Sequence, residues 1–265
     1  MSRAGAVIVL IAILAALAGP WVMPDDPAHQ TLADRLASPS LRHPFGLDEL
    51  GRDVLSRVLA GARISLLVGL FVVAASAGIG TVLGSVAGYY GGRIDQVIGR
   101  AIDVLMAFPG ILLAIALVAV LGPSLINVVV ALASIGWVGY ARLVRGQVLR
   151  AREFEFVHAA RALGAPVRRV IGRHVLPTVV NAVVVQASLG MAATIIAEAS
   201  LSFLGLGVQP PTASWGTMLA GGRAHLLDAP HLTVFPGLAI ALLVMGFNFL
   251  GDGLREALDP QRADH

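Results

Sequence analysis

Long stretches without charged residues alternate with short polar segments, and this pattern predicts a bundle of membrane-spanning helices. A helix that crosses a hydrocarbon core of ~30 Å needs ~20 mostly apolar residues. Five stretches meet this requirement, and they are Ala4–Met23, Ile64–Gly92, Val104–Ala141, Val175–Ala197 and Leu232–Gly251. The third is too long for one span. We therefore expect it to hold two spans separated at Gly122-Pro123, because proline interrupts the hydrogen bonds of a helix.

Six spans follow from this pattern. The chain divides into a first span at residues 1–23, an external segment at 24–60 and a five-helix core at 61–260. Within the core we expect spans at about 64–90, 101–121, 125–145, 175–204 and 232–252, with a loop at 146–174. The first span also fits a cleaved signal peptide, because Arg3 precedes its apolar run. An uncleaved anchor is favoured, since the run is long for a signal core and further spans follow.

Arginine is concentrated in one loop, and its distribution predicts the orientation in the membrane. The segment Arg142–His174 contains eight arginines and two acidic residues, Glu153 and Glu155. Short loops rich in positive charge stay on the cytoplasmic side, so we expect this loop and both termini to be cytoplasmic. The segment 24–60 holds four arginines that argue the other way, but it is longer and has fewer. Because the basic residues lie beside membrane spans, no nucleic-acid partner is expected.

The composition agrees with a membrane protein and excludes several kinds of chemistry. Hydrophobic residues are 57% of the 265, charged residues are 13%, and the mean hydropathy is +0.81. A soluble domain carries about 25% charged residues. The chain has no cysteine, which excludes thiolate metal sites, and no lysine, which excludes a P-loop lysine. Any ATP that drives this protein must bind another chain, and we expect neither a cofactor nor a catalytic residue here.

The arginine-rich loop predicts a short helix followed by a turn. Residues Glu153–Gly164 suit about three helical turns, with Gly164 as a left-handed cap and Pro166 in the first turn of the next helix. The small side chains of Ala159 and Ala160 would let another surface approach the backbone. The pattern fits both a helix lying on anionic lipid headgroups and a docking helix for a soluble partner.

The spacing within this loop resembles the EAA loop of bacterial ABC-importer permeases. That motif has the form E-A-A, three residues, G, nine residues, I, one residue, L-P. Here it corresponds to His158-Ala159-Ala160, then Gly164, then Leu176-Pro177. His158 replaces the usual glutamate and His174 replaces the usual isoleucine. We expect the docking geometry to survive these changes, but not an ion pair that the glutamate would make.

Further segments are similar to the second (C-type) permease subunit of the dipeptide/oligopeptide/nickel family. These segments are Phe45–Arg57, Gly61–Leu66, Asp103–Gly110, Glu198–Gly207, Pro211–Leu219 and Phe247–Pro260, and the resemblance covers about residues 40–260. It implies an all-α integral membrane protein with six transmembrane helices, the type I ABC importer permease (MetI-like) fold and a cytoplasmic coupling helix.

The same resemblance implies a function and partners. The chain would be a permease subunit without enzymatic activity in a bacterial plasma (inner) membrane. With a homologous subunit it would form a pathway for small peptides handed over by an extracytoplasmic substrate-binding protein. Two ATP-binding subunits, or one fused ATPase, would bind ATP and magnesium and dock on the loop. The docking residues that the resemblance implies are Phe156, His158, Ala159, Ala160, Arg161, Leu163, Gly164, Ala165, Pro166, Leu176 and Pro177.

Three residues outside the loop are candidates for the pathway or a gate. Glu198 in the fifth span is an intramembrane carboxylate, which is costly to bury, and it fits either pairing with a neighbouring span or lining the path. Asn248 fits either a helix–helix hydrogen bond or the path, and Trp215 lies in an external loop that fits an outer gate. No metal site is predicted, because no two of the seven histidines are four residues apart.

Other classes of function stay open at this point. A secondary transporter or channel is disfavoured because it would often carry inverted repeats and several buried ionisable residues, whereas the chain shows one buried carboxylate. A membrane enzyme is disfavoured because no nucleophile–base pair stands out. For an importer, a nickel chelate or haem is the alternative to a peptide substrate.

Overall fold

The computed structural model describes residues 2–258, and every regular element in this part of the chain is a helix. The helices are α1 Ser2–Val22, α2 Val54–Tyr90, α3 Gly92–Met106, α4 Gly110–Leu121, α5 Leu125–Ala151, α6 Glu155–Ala162, α7 Val167–Arg169, α8 Leu176–Phe203, α9 Trp215–Gly222 and α10 His231–Ala257. A π-helical segment, Val170–Val175, joins α7 to α8. The predicted all-α class is confirmed.

Within residues 2–258, five helical units are long and apolar enough to cross a membrane, namely α1, α2, α5, the α7–α8 unit and α10. The pair α3–α4 makes a sixth if it is one broken span. The third predicted span, at about 101–121, is interrupted in the structure. α3 ends at Met106, α4 begins at Gly110, and the two helices meet at 86°. Pro109 gives the physical reason, because it lacks an N–H and disfavours helix at the preceding Phe108.

Other spans extend beyond their predicted ends, and α10 for instance continues to Ala257 rather than stopping at 252. α2 begins at Val54 rather than at 64, because Asp53 caps it by accepting a hydrogen bond from the Ser56 amide at 2.7 Å. The segment between α1 and α2 therefore ends at 53 and not at 60. α5 continues to Ala151 rather than stopping at 145. Residues 259–260, the last two of the predicted core, lie outside the described residues.

α2 packs closely against α5 through glycines. A Cβ atom added at Gly84 would lie 2.9 Å from the Cβ of Val144, and one at Gly88 would lie 2.8 Å from a backbone oxygen of α5. Real Cβ atoms do not tolerate such distances, so only glycine lets the two helices approach this far. Gly78 differs, since an added Cβ there would meet nothing within 4 Å.

α2 is a single long helix that connects two distant parts of the structure. It has 37 residues, which corresponds to ~55 Å of helix against a hydrocarbon core of ~30 Å. One end begins at Asp53 in the segment between α1 and α2, and the other ends at Tyr90 beside the loop that contains α6.

Candidate docking helix and membrane interior

The predicted loop helix is present as α6, and one buried side chain anchors it. α6 spans Glu155–Ala162, which is shorter than the predicted Glu153–Gly164. Val157 has no exposed surface and packs in a cluster with Val144 and Val148 of α5. Full burial of a valine stabilises a contact by about 1.5–3 kcal/mol, so this residue holds the helix against the bundle.

The opposite face of α6 is apolar and exposed. Phe156 is 47% exposed and Leu163, directly after the helix, is 88% exposed. Ala159 is exposed between them, whereas Ala160 is half-buried and packs inward against the cluster around Val157. Ala160 thus lies against its own chain, and the surface available to a partner is formed by Phe156, Ala159 and Leu163.

A left-handed residue ends the helix, as the sequence predicts. Gly164 has φ +77°, and its amide donates to the carbonyl oxygen of Arg161 at 2.9 Å. A Cβ atom at Gly164 would meet nothing within 4 Å, so the backbone conformation and not space requires glycine here. Ala165 is half-buried, and Pro166 is extended and caps α7 rather than lying within its first turn.

Two arginines tie the loop to the end of α2. Nε of Arg161 donates to the hydroxyl of Tyr89 at 3.1 Å, and its guanidinium carbon lies 4.8 Å from the centre of the Tyr89 ring. Nη1 of Arg152 donates to the carbonyl oxygen of Gly88 at 3.1 Å. These contacts satisfy carbonyl and hydroxyl groups at the C-terminal end of α2, so α6 and α2 are fastened together.

Of the two positions that depart from the family motif, His158 faces solvent. Nε2 of His158 lies 3.7 Å from a carboxylate oxygen of Glu153, and both side chains are more than half exposed. An exposed pair of this kind contributes about 0–1 kcal/mol. Leu176 is half-buried and Pro177 exposed where they open α8, and His174 is half-buried just before them.

Glu198 is enclosed within the bundle and hydrogen-bonded. The residue is 1% exposed. One carboxylate oxygen accepts from Ser65 of α2 at 3.1 Å, and the other accepts from Ser202 at 2.7 Å. Buried polar groups need such partners. This geometry is that of a link between α8 and α2, and it matches the pairing alternative of the sequence analysis.

The other two candidates lie apart from open space. Trp215 is 2% exposed, and its ring nitrogen donates to the carbonyl oxygen of Val58 at 2.9 Å. It therefore packs α9 against the N-terminal part of α2. Asn248 is half-buried in α10, and neither residue lines either of two cavities between the long helices.

These two cavities share one lining residue, Gln186. The larger has a volume of about 490 Å³ and is lined by hydrogen-bonding side chains that include Gln147, Asn181 and Arg255. The smaller has a volume of about 270 Å³, and its lining includes Ser76, whose hydroxyl is buried without a hydrogen-bond partner. Gln186 belongs to both linings, so polar groups continue from one cavity into the other.

Sequence spacing did not predict these polar groups, because they come from several helices and each is isolated among apolar residues of its own helix. It also did not predict the ion pair of Arg145 with Asp95, in which a second contact from Nη2 measures 2.8 Å. This pair joins α3 to α5, and it offsets the cost of partly burying the two charges when the chain folds. The only sequence sign of it is a charge of each sign at the membrane ends of two helices.

Comparison with known proteins agrees with this architecture. Residues 80–264 match the model of a family described as the binding-protein-dependent transport system inner membrane component. The glutathione transport system permease protein GsiD of Escherichia coli O157:H7 and that of Shigella boydii serotype 4 are each 50% identical over 262 residues, which cover 98% of this chain and 86% of each relative.

A solved structure shares the fold. It is that of the MetNI methionine ABC transporter in inward-facing conformations, with a TM-score of 0.59 at 16% identity, and the match covers 78% of this chain and 96% of that one. The predicted MetI-like fold is thereby confirmed. The chain belongs to the binding-protein-dependent transport system inner membrane components, and it is a multi-pass permease subunit of a bacterial ABC importer rather than an enzyme.

Proposed function

We propose that this chain pairs with a homologous permease subunit to conduct small peptides inward, and that ATP-binding subunits dock on α6 and its following turn. The observation that carries the proposal is that α6 has an exposed apolar face opposite the face that Val157 anchors to the bundle. Permeases of this family work with ATP-binding subunits and a binding protein in general. The heterodimer and the docking residues are our proposal.

The docking surface follows from exposure and charge. Leu163 and Phe156 present apolar area in a loop that also carries Arg161, Arg168 and Arg169. An apolar patch with a polar rim is typical of a site for a protein partner. A groove on an ATPase subunit would cover the apolar side chains, and its acidic residues would meet the arginines at the rim. ATP and magnesium would then be bound by that subunit and not by this chain.

The substrate class follows from the cavity linings and the relatives. Side-chain amides of Gln147, Asn181 and Gln186 can exchange hydrogen bonds with peptide groups, and Arg255 can pair with a carboxylate. The relatives compared above are named for glutathione transport, and glutathione is a tripeptide. A path whose lining combines these amides and one guanidinium with apolar side chains suits short peptides.

A rigid connection provides the mechanism. ATP-driven closure of two ATPase subunits would bring two loop helices together, and the contacts of α6 with α2 and α5 would pass the movement on. Because α2 is continuous from Val54 to Tyr90, displacement at one end reaches the other. Such switching of packed helices between two arrangements needs no chemistry in this chain. Hydrolysis would reset the arrangement.

The proposed orientation places the loop and both termini in the cytoplasm, and the segment 24–53 outside with the binding protein. The chain has no cysteine, so single introduced cysteines report the side directly. Leu163→Cys should react with a membrane-impermeant maleimide only from the cytoplasmic side. Leu41→Cys, at a fully exposed position, should react only from outside. The reverse pattern would contradict the orientation.

Uptake into proteoliposomes tests the function. The complex of both permease subunits, the ATPases and the binding protein should accumulate labelled di- and tripeptides only when ATP is supplied on the loop side. Excess unlabelled peptide should compete. Uptake that persists without ATP would instead support a secondary transporter, and saturable uptake of haem or a nickel chelate but not of peptides would overturn the substrate class.

A further inference from the structure

Three potential metal ligands from distant parts of the external segment meet beside the start of α2. Asp25 follows α1, His43 lies in the segment between α1 and α2, and Asp53 caps α2. Nδ1 of His43 is 3.0 Å from Oδ2 of Asp53 and 3.6 Å from Oδ2 of Asp25. All three ligand atoms lie within 4.8 Å of one another. Spacing along the chain could not show this cluster, because only the fold brings these residues together.

The distances within the cluster suit coordination around one ion. Zinc binds histidine nitrogen at ~2.0–2.1 Å and carboxylate oxygen at ~2.0–2.2 Å, with tetrahedral geometry. Adjacent ligand atoms around such an ion are therefore ~3.3 Å apart. The two separations from Nδ1 of His43 lie on either side of this value. The Asp25 oxygen needs only a small movement to complete the third ligand position.

The charge of the site also favours a cation. The side chain of Asp53 has no exposed surface, and its Oδ1 accepts from the amide and hydroxyl of Ser56 at 2.7 and 2.8 Å. Its Oδ2 is directed at His43. Among the described residues, His43 is the only ion-pair partner that Asp53 has within 4.0 Å. Buried carboxylates are stabilised by a paired charge or a metal, and among the described residues no guanidinium forms an ion pair with this one within 4.0 Å.

A cavity adjoins the three ligands and supplies the space. It has a volume of about 100 Å³ and is lined by all three of them together with His29, Asp34 and Arg42. Three carboxylates thus face one guanidinium. A cavity needs only ~10–15 Å³ of this kind of volume to hold a water molecule, so there is room here for an ion and its bound water.

We propose that Nδ1 of His43 and one carboxylate oxygen each from Asp25 and Asp53 bind one divalent transition-metal ion of the zinc class, with water as the fourth ligand. A site with an imidazole ligand favours such an ion over calcium or magnesium, which prefer oxygen ligands alone. The ion joins the end of α1, the middle of the external segment and the cap of α2. It therefore holds the external segment on α2 where a binding protein would approach.

Zinc titration of the purified permease complex in nanodiscs tests the proposal. After removal of metal with a chelator, isothermal titration should show one tight Zn²⁺ site for each copy of this chain. His43→Gln and Asp25→Asn should each weaken binding by ~10-fold or more. Asp53→Asn is the sharpest variant, because its amide oxygen can still accept from Ser56 and cap α2 while one anionic ligand is lost. His225→Gln is the matched control. That histidine does not belong to the cluster, and its Nδ1 lies 2.9 Å from Oδ2 of Asp228.

A second readout separates metal binding from a simple ion pair. Zn²⁺ should raise the thermal midpoint of the wild-type complex and of His225→Gln but not that of His43→Gln. The reason is that an ion stabilises a protein only where it binds the folded chain more tightly than the unfolded chain. Cobalt bound in place of zinc should show visible absorption bands of a four-coordinate site. Equal Zn²⁺ affinity in the wild type and in His43→Gln would overturn the proposal. So would a fall in stability of the cluster variants with no Zn²⁺ effect on the wild type, which would identify His43 as an ion-pair partner only.

Discussion

Arg161 of the loop helix lies against Tyr89 at the end of α2, with its Nε 3.1 Å from the tyrosine hydroxyl and its guanidinium carbon 4.8 Å from the ring centre. One side chain thus makes both a hydrogen bond and a cation–π contact. The pair lies where the exposed docking face meets the longest helix of the bundle. It is therefore the contact through which a movement of α6 would reach α2.

Removal of this contact should uncouple transport from ATP hydrolysis. The hydrogen bond contributes about 1 kcal/mol and the cation–π contact about 0.5–1 kcal/mol, so Arg161→Ala should shift the equilibrium between seated and released α6 by up to about 30-fold. Tyr89→Phe keeps the ring and should give a smaller loss. Peptide uptake per ATP hydrolysed, at equal membrane levels, measures the effect. Arg93→Ala, which removes an exposed arginine at the start of α3 and outside the docking surface, should change neither quantity, and an equal loss there would contradict the assigned role.

The turn after α6 should depend on backbone conformation and not on space. Gly164→Val forces a β-branched residue into the left-handed region at a cost of about 1–2 kcal/mol, and it should lower both ATPase binding and uptake. Gly164→Asn should keep most of the activity, since asparagine adopts this conformation more readily. Gly172→Ala is the control, because an added Cβ there meets nothing within 4 Å and no left-handed conformation is required. Full activity of Gly164→Val would show that the turn is not needed.

Substitution of Glu198 separates its two interpretations. Glu198→Ala leaves the hydroxyls of Ser65 and Ser202 without their shared acceptor, which should cost about 1–3 kcal/mol and lower the thermal midpoint of the complex. Glu198→Gln preserves an acceptor and should remain close to wild type in stability and uptake. If Glu198→Gln abolishes uptake at unchanged stability, the carboxylate charge acts on the substrate and the structural interpretation fails.

The glycine contacts between α2 and α5 predict that Gly→Ala substitutions at different positions of α2 have different effects on the stability of the subunit. Gly84→Ala and Gly88→Ala should each destabilise the subunit by about 1–3 kcal/mol through overpacking. Gly78→Ala should be neutral or stabilising by up to about 1 kcal/mol, because the exposed position has room and alanine favours helix. Thermal unfolding of the solubilised complex compares all three, and equal effects would show that the close approach of the helices is not required.

Much of the fold could be predicted because lipid imposes a simple rule on length and charge. Uncharged runs identified the helices, and the left-handed Gly164 followed from its place after a helical pattern. The break at Pro109 was overlooked because the apolar run continues through it. Contacts such as Arg161 with Tyr89 could not be predicted, since they depend on how helices that are distant in sequence pack. The inward direction of Ala160 was likewise decided by the burial of Val157 and not by side-chain size.

Photo-cross-linking at Leu163 tests the central claim most directly. This residue is 88% exposed at the tip of the proposed docking surface, so a photo-cross-linking amino acid placed there, in membranes that contain the whole complex, should couple to an ATP-binding subunit. The same amino acid at Leu41 should not. Cross-links from position 163 to lipid alone would contradict the account and show that α6 is an interfacial helix lying on the membrane surface.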